Sequence, residues 1–277
     1  MKEVSVQIQH DDNFDKVLEI AAKVGYENVS LGFGSSDCFH KADWQQEIKR
    51  IEGLLSKHNL KCIQTHLPYY SFRDSAEEID EERERAMLRC TEASAYLGAK
   101  WCAYHPRTVL ENSGDPEKSM AFAKAALEPL VKAAAQYGTG IAVENMPPYP
   151  DWEGYRFCST DYEDLCKVHD YFNCEEIGVC WDFGHGHMAA YDDITAATAV
   201  GKRIQATHIH NNMGTEDSHF LPSTGTIDWV RFMSAFNAFY EGAYTLEIIY
   251  PHNDMLESYM AHSLDCINYV SEIEANR

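Results

Sequence analysis

The sequence predicts a single (β/α)8 TIM barrel that takes up residues 1–277 as one domain. Short segments rich in β-branched and aromatic residues alternate with longer amphipathic segments, and there are eight of each. No linker rich in Pro, Gly or Ser divides the chain, and metal-ligand side chains stand where six consecutive strand segments end. Two small domains or a doubly wound sheet are the alternatives, but no Gly-rich phosphate loop follows the first strand.

The eight predicted strands are short runs bounded by turn residues, as expected for a buried parallel sheet. In chain order they are Val4–Gln9, Asn28–Gly32, Cys62–His66, Lys100–Tyr104, Gly140–Glu144, Gly178–Asp182, Ile204–His210 and Gly242–Ile248.

The predicted helices between the strands have apolar residues at helical spacing and recognisable ends. Gly25, Gly98 and Gly138 follow three of them, where a C-terminal glycine is expected, and Asp161 caps the fifth. Residues 147–159, "PPYPDWEGYRFCS", are predicted to form a long loop over one barrel mouth. The helices are Phe14–Val24, Trp44–His58, Ala76–Leu97, Pro116–Tyr137, Asp161–Val168, Asp193–Val200, Trp229–Phe239 and Asn253–Glu274.

The composition narrows the classes of partner. A formal net charge of −21 repels phosphate backbones and anionic lipid, so it argues against extensive nucleic-acid binding. No apolar run is long enough to span a bilayer, and no signal peptide is evident. The nine cysteines form no CxxC pair and do not indicate a disulfide framework. We therefore expect a cytoplasmic protein without a membrane partner.

Imidazole and carboxylate side chains mark the ends of the third to eighth strands, where the active site of a barrel is built. Divalent cations such as Zn²⁺, Mn²⁺ or Co²⁺ take such mixed ligands, and carboxylates can bridge two ions. No cysteine stands at a strand end, which argues against a thiolate zinc site. The strand-end residues are His66, His105, Glu144, Asp182 (followed by His185 and His187), His210 and Glu247.

The segment 208–219, "HIHNNMGTEDSH", divides into three roles. His208 and His210 alternate with Ile209, so both point into the barrel. His210, nearer the strand end, is assigned to the metal, and His208 is expected to be a hydrogen-bonded histidine one layer deeper. Asp217 and His219 follow in the loop and are expected to close a further ion with His185 or to bind substrate.

The motifs "HLPY", "HPR", "VENMP", "WDFGH", "HIHNN", "DSHFLPSTGTIDW" and "LEIIY" together resemble the xylose-isomerase-like barrel superfamily over almost the whole chain. That superfamily includes apurinic-site endonucleases of the endonuclease IV type, ketose 3-epimerases and sugar-phosphate isomerases. The epimerase resemblance implies a single metal held by Glu144, Asp182, His210 and Glu247. The endonuclease resemblance adds an ion at His66 and His105, with Glu144 as the bridge, and a third at His185, Asp217 and His219.

The first functional hypothesis is therefore a sugar or sugar-phosphate isomerase or epimerase that depends on one to three Mn²⁺, Zn²⁺ or Co²⁺ ions. Glu144 and Glu247 would act as the acid/base pair on a metal-stabilised enediolate. His185 and Arg107 are candidates to hold hydroxyls or a phosphate of a small carbohydrate. Tyr69, Trp181 and Tyr250 are candidates to line the sugar face. Barrels of this type often pair, so a homo-oligomer is an expectation.

The alternative is a three-metal phosphoester hydrolase that acts on abasic DNA. The ligand set supports it, but the net charge does not, and the strand-end loops carry only Arg73, Arg107 and Arg156 to neutralise phosphates. A third hypothesis is a metal-stabilised binding protein without turnover.

Overall fold

The computed structural model describes residues 2–34, 37–69, 81–107, 115–148, 157–189 and 191–275. Arg73, Arg156, most of the predicted loop 147–159 and the first residues of the predicted third helix lie outside these ranges.

The strands form one parallel sheet in the order β7-β6-β5-β4-β3-β2-β1-β8. A parallel bridge between Ile209 and Leu246 joins the two ends of this order, so the sheet curves into a nearly closed barrel. The predicted (β/α)8 barrel is confirmed. The strands are β1 Val4–Gln9, β2 Asn28–Gly32, β3 Lys61–His66, β4 Trp101–Tyr104, β5 Gly140–Glu144, β6 Ile177–Asp182, β7 Ile204–His208 and β8 Tyr244–Leu246.

Ten α-helices fall within the described ranges, two more than predicted. The additional ones, α2 and α7, are short; α7 begins directly after β6 because the Asp182 side chain accepts a hydrogen bond from the His185 N–H. Gly25, Gly98 and Gly138 have the positive φ expected of C-terminal glycines. None of the described helices is long and apolar enough to cross a membrane. They are α1 Phe14–Val24, α2 Asp37–His40, α3 Trp44–His58, α4 Glu81–Tyr96, α5 Pro116–Tyr137, α6 Tyr162–Phe172, α7 Phe183–Met188, α8 Asp193–Val200, α9 Trp229–Phe236 and α10 Leu256–Glu272.

The core has two parts because side chains of a strand alternate between its two faces. The large cluster lies between the sheet and the helices. The small cluster consists of Trp101 and four small side chains, Ala103, Ala142, Cys180 and Ala206, on adjacent strands β4 to β7. Trp101 packs against β5: a Cβ added at Gly140 would lie 2.2 Å from its ring. The apolar interior therefore ends below the strand ends, where the polar side chains begin.

Candidate metal centre

Side chains from the carboxyl ends of six strands converge on one cavity of about 690 Å³. Seven of the nine predicted metal ligands line it, and Asp182 and His210 are fully buried beneath it. The lining ligands are His66, His105, Glu144, His185, Asp217, His219 and Glu247. The strand ends thus bring all nine together.

Glu144, at the end of β5, is the centre of this arrangement and is fully buried. Its Oε2 lies 3.4 Å from Nε2 of His66, 3.4 Å from Nε2 of His105 and 3.3 Å from Nδ1 of His208. Its Oε1 lies 3.3 Å from Nδ1 of His185. Among the described residues, neither oxygen accepts a hydrogen bond of normal geometry. A buried carboxylate without hydrogen bonds is costly, so a cation fits the space beside Oε2, which the nitrogens of His66, His105 and His208 surround.

Three histidine rings are oriented by backbone carbonyls. Nδ1 of His66 donates to the Leu67 carbonyl at 2.7 Å, Nδ1 of His185 to Asn145 at 2.9 Å, and Nδ1 of His219 to Glu247 at 3.1 Å. A carbonyl only accepts, so Nδ1 carries the proton and Nε2 of each neutral ring keeps a free lone pair. Metal-ligating histidines are commonly oriented in this way.

The free Nε2 atoms point at other ligand atoms. Nε2 of His66 faces Nε2 of His105 at 3.2 Å, and Nε2 of His185 and His219 lie 3.2 Å and 3.3 Å from the two oxygens of Asp217. Two lone pairs that face each other repel, so each of these contacts needs either a proton or a metal cation between its two atoms. The donor set, imidazole nitrogen with carboxylate oxygen, suits Zn²⁺, Mn²⁺ or Co²⁺.

The ligand atoms fall into three overlapping groups, each with all its atoms within 4.8 Å of one another. We call the first the central group; it joins Glu144, Asp182, His208 and Glu247. The second, the β3 group, joins His66, Glu144 and His208, and His105 lies beside it. The third, the loop group, joins His185, His210, Asp217 and His219. Glu144 and His208 each belong to two groups, so neighbouring cation positions would share them.

His208, at the end of β7, and His210, just beyond it, have contacts that differ from those predicted from the sequence. His208, expected to be hydrogen-bonded and deeper, has no hydrogen bond on either ring nitrogen among the described residues, and its Nδ1 lies 3.0 Å from Oε2 of Glu247. His210 lies 3.0 Å from Asp182, but its ring stacks on His219 at 4.1 Å between centroids. The strand ends at His208 because only the isolated Ile209–Leu246 bridge continues the pairing, which carries His210 toward the loop group.

The predicted substrate-lining residues separate into two sets. Tyr69 and Tyr250 line the cavity, as does Arg107, whose Nη1 donates to Oε1 of Glu84 at 2.6 Å. Trp181 does not line the described cavity: it is fully buried in the core between sheet and helices. Strand alternation explains this, because Cys180 and Asp182 on either side of it face the barrel interior.

Two positioning residues were not among the sequence-based candidates. Gln7 of β1 donates from Nε2 to Oε1 of Glu247 at 2.6 Å, and its own Oε1 accepts from the Ser30 hydroxyl at 3.3 Å. Asn145 bonds both backbone groups of Asp182. The available signal for Gln7 was a polar residue at an inward position of an otherwise apolar strand, "VSVQIQ".

Gln7→Leu is expected to lower turnover by about tenfold or more, because Glu247 loses the hydrogen-bond donor that holds its orientation. Mutation of a residue that hydrogen-bonds to a metal ligand commonly reduces activity to this extent. The change should appear in kcat more than in KM, with metal content reduced or unchanged. Gln46→Leu, at an exposed position of α3, is the control. Equal kcat for Gln7→Leu and wild type would contradict this role.

Charges in the centre shift one another's pKa values. Burial would raise the pKa of Glu144, but His208 and His105 outweigh it and hold that pKa well below its usual range. Burial alone lowers the pKa of a histidine, yet Asp217 and Glu247 raise the pKa of His219 to about 9. Glu144 is therefore ionised at neutral pH, as a cation ligand must be.

His219 is expected to make the metal-free protein less stable at alkaline pH. Its pKa rises from 6.5 to about 9 on folding, so its stabilisation is complete below pH 6.5 and is lost as the pH approaches 9. The free energy of unfolding in urea, measured with a chelator across this range, should fall, and His219→Asn should reduce the slope. A slope identical to that of wild type would contradict this. Some slope remains in the variant, because the pKa values of His185 and His208 are also raised.

Sequence comparison gives matches to curated proteins of undescribed activity. An uncharacterized protein of Sinorhizobium fredii is 36% identical over 67 residues, which cover 24% of this chain and 22% of the relative. One from Methanocaldococcus jannaschii is 26% identical over 176 residues, which cover 64% of each chain. The chain thus spans less than two thirds of the length of both relatives.

Solved structures match over nearly the whole chain. D-psicose 3-epimerase from Clostridium cellulolyticum superposes with a TM-score of 0.77 at 12% identity, covering 98% of this chain and 99% of that one. The 3-keto-D-glucoside 4-epimerase YcjR from E. coli gives 0.73 at 14% identity, covering 97% and 100%. Identities this low show a shared fold. The sequence also matches the family described as xylose isomerase-like TIM barrel over residues 18–269, and the chain therefore belongs to that family.

Proposed function

We propose that the protein is a divalent-metal-dependent sugar or sugar-phosphate isomerase or epimerase. The observation that carries this proposal is the placement of Glu144 and Glu247, two carboxylates that both line the cavity and both approach Nδ1 of His208, at 3.3 Å and 3.0 Å. The structural neighbours include sugar epimerases, which supports this class of reaction.

Glu144 and Glu247 are suited to move a proton at one carbon from two sides. They extend from β5 and β8, which are three strands apart in the barrel. One group acts as a carboxylate and removes the proton from the carbon beside a carbonyl. The other acts in its protonated form and returns a proton to the same carbon or its neighbour, and both groups then exchange protons with solvent. A cation bound by the central group would polarise the carbonyl and so acidify that C–H bond.

Other residues of the cavity hold the substrate. His105 and His185 both line the cavity, where their imidazoles would meet substrate hydroxyl groups. The Tyr69 ring lies beside His105, with 5.4 Å between the ring centroids. Burial of the central group excludes water, which strengthens each electrostatic contact.

The test is deuterium exchange from solvent into a panel of ketoses, aldoses and their phosphates, followed by NMR after loading the protein with Mn²⁺, Co²⁺ or Zn²⁺. Metal-dependent exchange at a carbon next to the carbonyl is the expected result. No exchange into any member of the panel with any of the three metals would overturn the proposal.

A second candidate, phosphoester hydrolysis at abasic DNA, is favoured by one observation. His66 and His105 converge on each other and on Glu144, and this provides a cation position beyond the single metal that the epimerase chemistry needs. Against it, Arg83 and Arg107 are the only Lys or Arg residues among those described as lining the cavity, and Arg107 is paired with Glu84. About three zinc ions per chain with nicking of an abasic duplex would favour this reaction, and intact DNA would exclude it.

A further inference from the structure

The strand β2 ends without a side chain of its own in the barrel mouth. Ser30 points into the barrel, where its hydroxyl donates to Gln7, so strand alternation directs position 32 the same way. That position is Gly32, the last residue of β2, and a second glycine, Gly34, follows in the loop. The end of β2 therefore leaves room in the mouth for side chains from neighbouring strands.

Gln9 and Tyr69 occupy this room. Gln9, the last residue of β1, is the register partner of Gly32, and a Cβ added at Gly32 would lie 2.6 Å from Cδ of its amide. A Cβ added at Gly34 would lie 2.9 Å from the Tyr69 ring. Both side chains line the cavity, and we call these four residues the β2 corner. A larger residue at either glycine would displace the side chain that lies on it.

The main chain at this corner is fixed, whereas its polar side-chain groups are available. The Gly32 carbonyl accepts from the His10 N–H at 2.8 Å, and the Tyr250 hydroxyl accepts from the Gln9 N–H at 3.3 Å. Within the described part of the chain, the Gln9 amide and the Tyr69 hydroxyl make no hydrogen bond. An amide offers two N–H donors and an acceptor oxygen, and a phenol offers one donor and an acceptor. Such a set matches hydroxyl groups, which both donate and accept.

The β2 corner lies beside the proposed acid/base pair but nearer the mouth. Gln7 donates to Glu247 at 2.6 Å, and Gln9 is the next inward residue of β1, about 7 Å further along the strand. Burial raises the pKa of Tyr69, and so does the negative charge of Glu247. A sugar whose reacting carbon lies at Glu247 would therefore extend its remaining carbons toward Gln9 and Tyr69.

The charges around the corner suit a neutral group. Asp11, which also lines the cavity, lies two residues after Gln9. Among the described lining residues of β1, β8 and the loops that follow them, none is Lys or Arg. Arg83 and Arg107 line the cavity from α4 and from the loop after β4. The corner therefore offers hydrogen bonds without a positive charge.

We propose that Gln9 and Tyr69 bind free hydroxyl groups at the end of the substrate that is remote from the reacting carbon. This inference rests on the proposed function for the position of that carbon. It adds two specificity-determining residues and the chemical class of the group that they recognise.

The experiment compares xylitol with glycerol by isothermal titration calorimetry on Mn²⁺-loaded protein. Neither polyol has a carbonyl, so the measurement reports binding without reaction. Both can chelate the cation, but only the longer chain extends to the β2 corner. Xylitol should therefore bind about tenfold more tightly, the effect of one or two hydrogen bonds. Gln9→Ala and Tyr69→Phe should each reduce this preference several-fold and leave the affinity for glycerol unchanged.

Gly32→Ala is the sharper variant, because it leaves Gln9 and Tyr69 chemically intact. Its Cβ displaces only the flexible end of the Gln9 side chain, so the fold should be retained while the preference for xylitol falls as in Gln9→Ala. Added to Gln9→Ala, the same substitution should have no further effect. Gly53→Ala, at an exposed position of α3 where a Cβ would meet nothing within 4 Å, is the matched control.

Equal affinities for the two polyols, no measurable binding of either, or a preference that survives both Gln9→Ala and Gly32→Ala would overturn the inference. Exchange into free ketoses would leave the proposed function standing in those cases. A preference for xylitol that depends on Gln9, without exchange into any ketose, would instead leave only the hydroxyl-binding corner.

Discussion

Replacing Glu144 by glutamine should lower solvent-exchange activity by about two to four orders of magnitude, the usual extent for loss of a positioned acid/base group. An amide has no useful basicity, and it cannot supply the negative charge that His66, His105, His185 and His208 surround. Metal content should fall as well, since the central and β3 groups share this carboxylate. Circular dichroism should show a retained fold, because the two side chains have nearly the same shape.

Glu128→Gln is the matched control. Glu128 is an exposed residue of α5 that pairs with Lys132 at 2.7 Å, so the same chemical change there should leave exchange and metal content intact. Near-normal exchange in Glu144→Gln with wild-type metal content would show that another group moves the proton.

Replacing His208 by asparagine should be more damaging to the central group than the same change at His210. His208 approaches Glu144, Glu247 and, at 3.9 Å, Asp182, while His210 belongs to the loop group. We expect His208→Asn to weaken cation binding at the central group by about 100-fold or more, since it removes a proposed direct ligand. Its kcat should fall to a similar extent.

The comparison with His210→Asn decides between the two assignments. Titration of chelator-treated protein with Mn²⁺ or Co²⁺, followed by activity at saturating metal, measures both effects. If His210→Asn lost the catalytic cation while His208→Asn kept it, the arrangement expected from sequence would hold and the grouping derived from the structure would be incorrect.

These two histidines also show where sequence reasoning stops. Alternation along β7 places both rings inside the barrel, and that inference needs only the period of a strand. The depth at which each ring meets the carboxylates depends on where pairing with β8 ends. That point is set by the register of strands far apart in the chain, with Glu247 N–H donating to the Ile209 carbonyl at 3.0 Å. The point where this pairing ends cannot be read from a single sequence.

Strand boundaries follow the same logic. β1, β2 and β5 begin and end where the apolar runs predict, because each of their residues is paired with at least one of the two neighbouring strands. β8 is only Tyr244–Leu246, four residues shorter than predicted, because it has only three paired positions with β1. Trp181 shows why lining residues are harder to predict than ligands. It directly precedes Asp182 on β6, so its side chain faces the helices and not the cavity.

The rings of His66, His185 and His219 are held by main-chain carbonyls. Their orientation is therefore less sensitive to amino-acid substitution than the lining of the cavity. A side-chain substitution does not remove a carbonyl, so the acceptors persist whatever residue occupies their positions. The walls of the cavity can therefore be exchanged freely during evolution while the imidazoles stay aimed. Such a site can keep the positions of its imidazole nitrogens while the side chains that line the cavity, and with them the substrate, change. Directed evolution of new specificities should therefore begin from the wall residues of this chain.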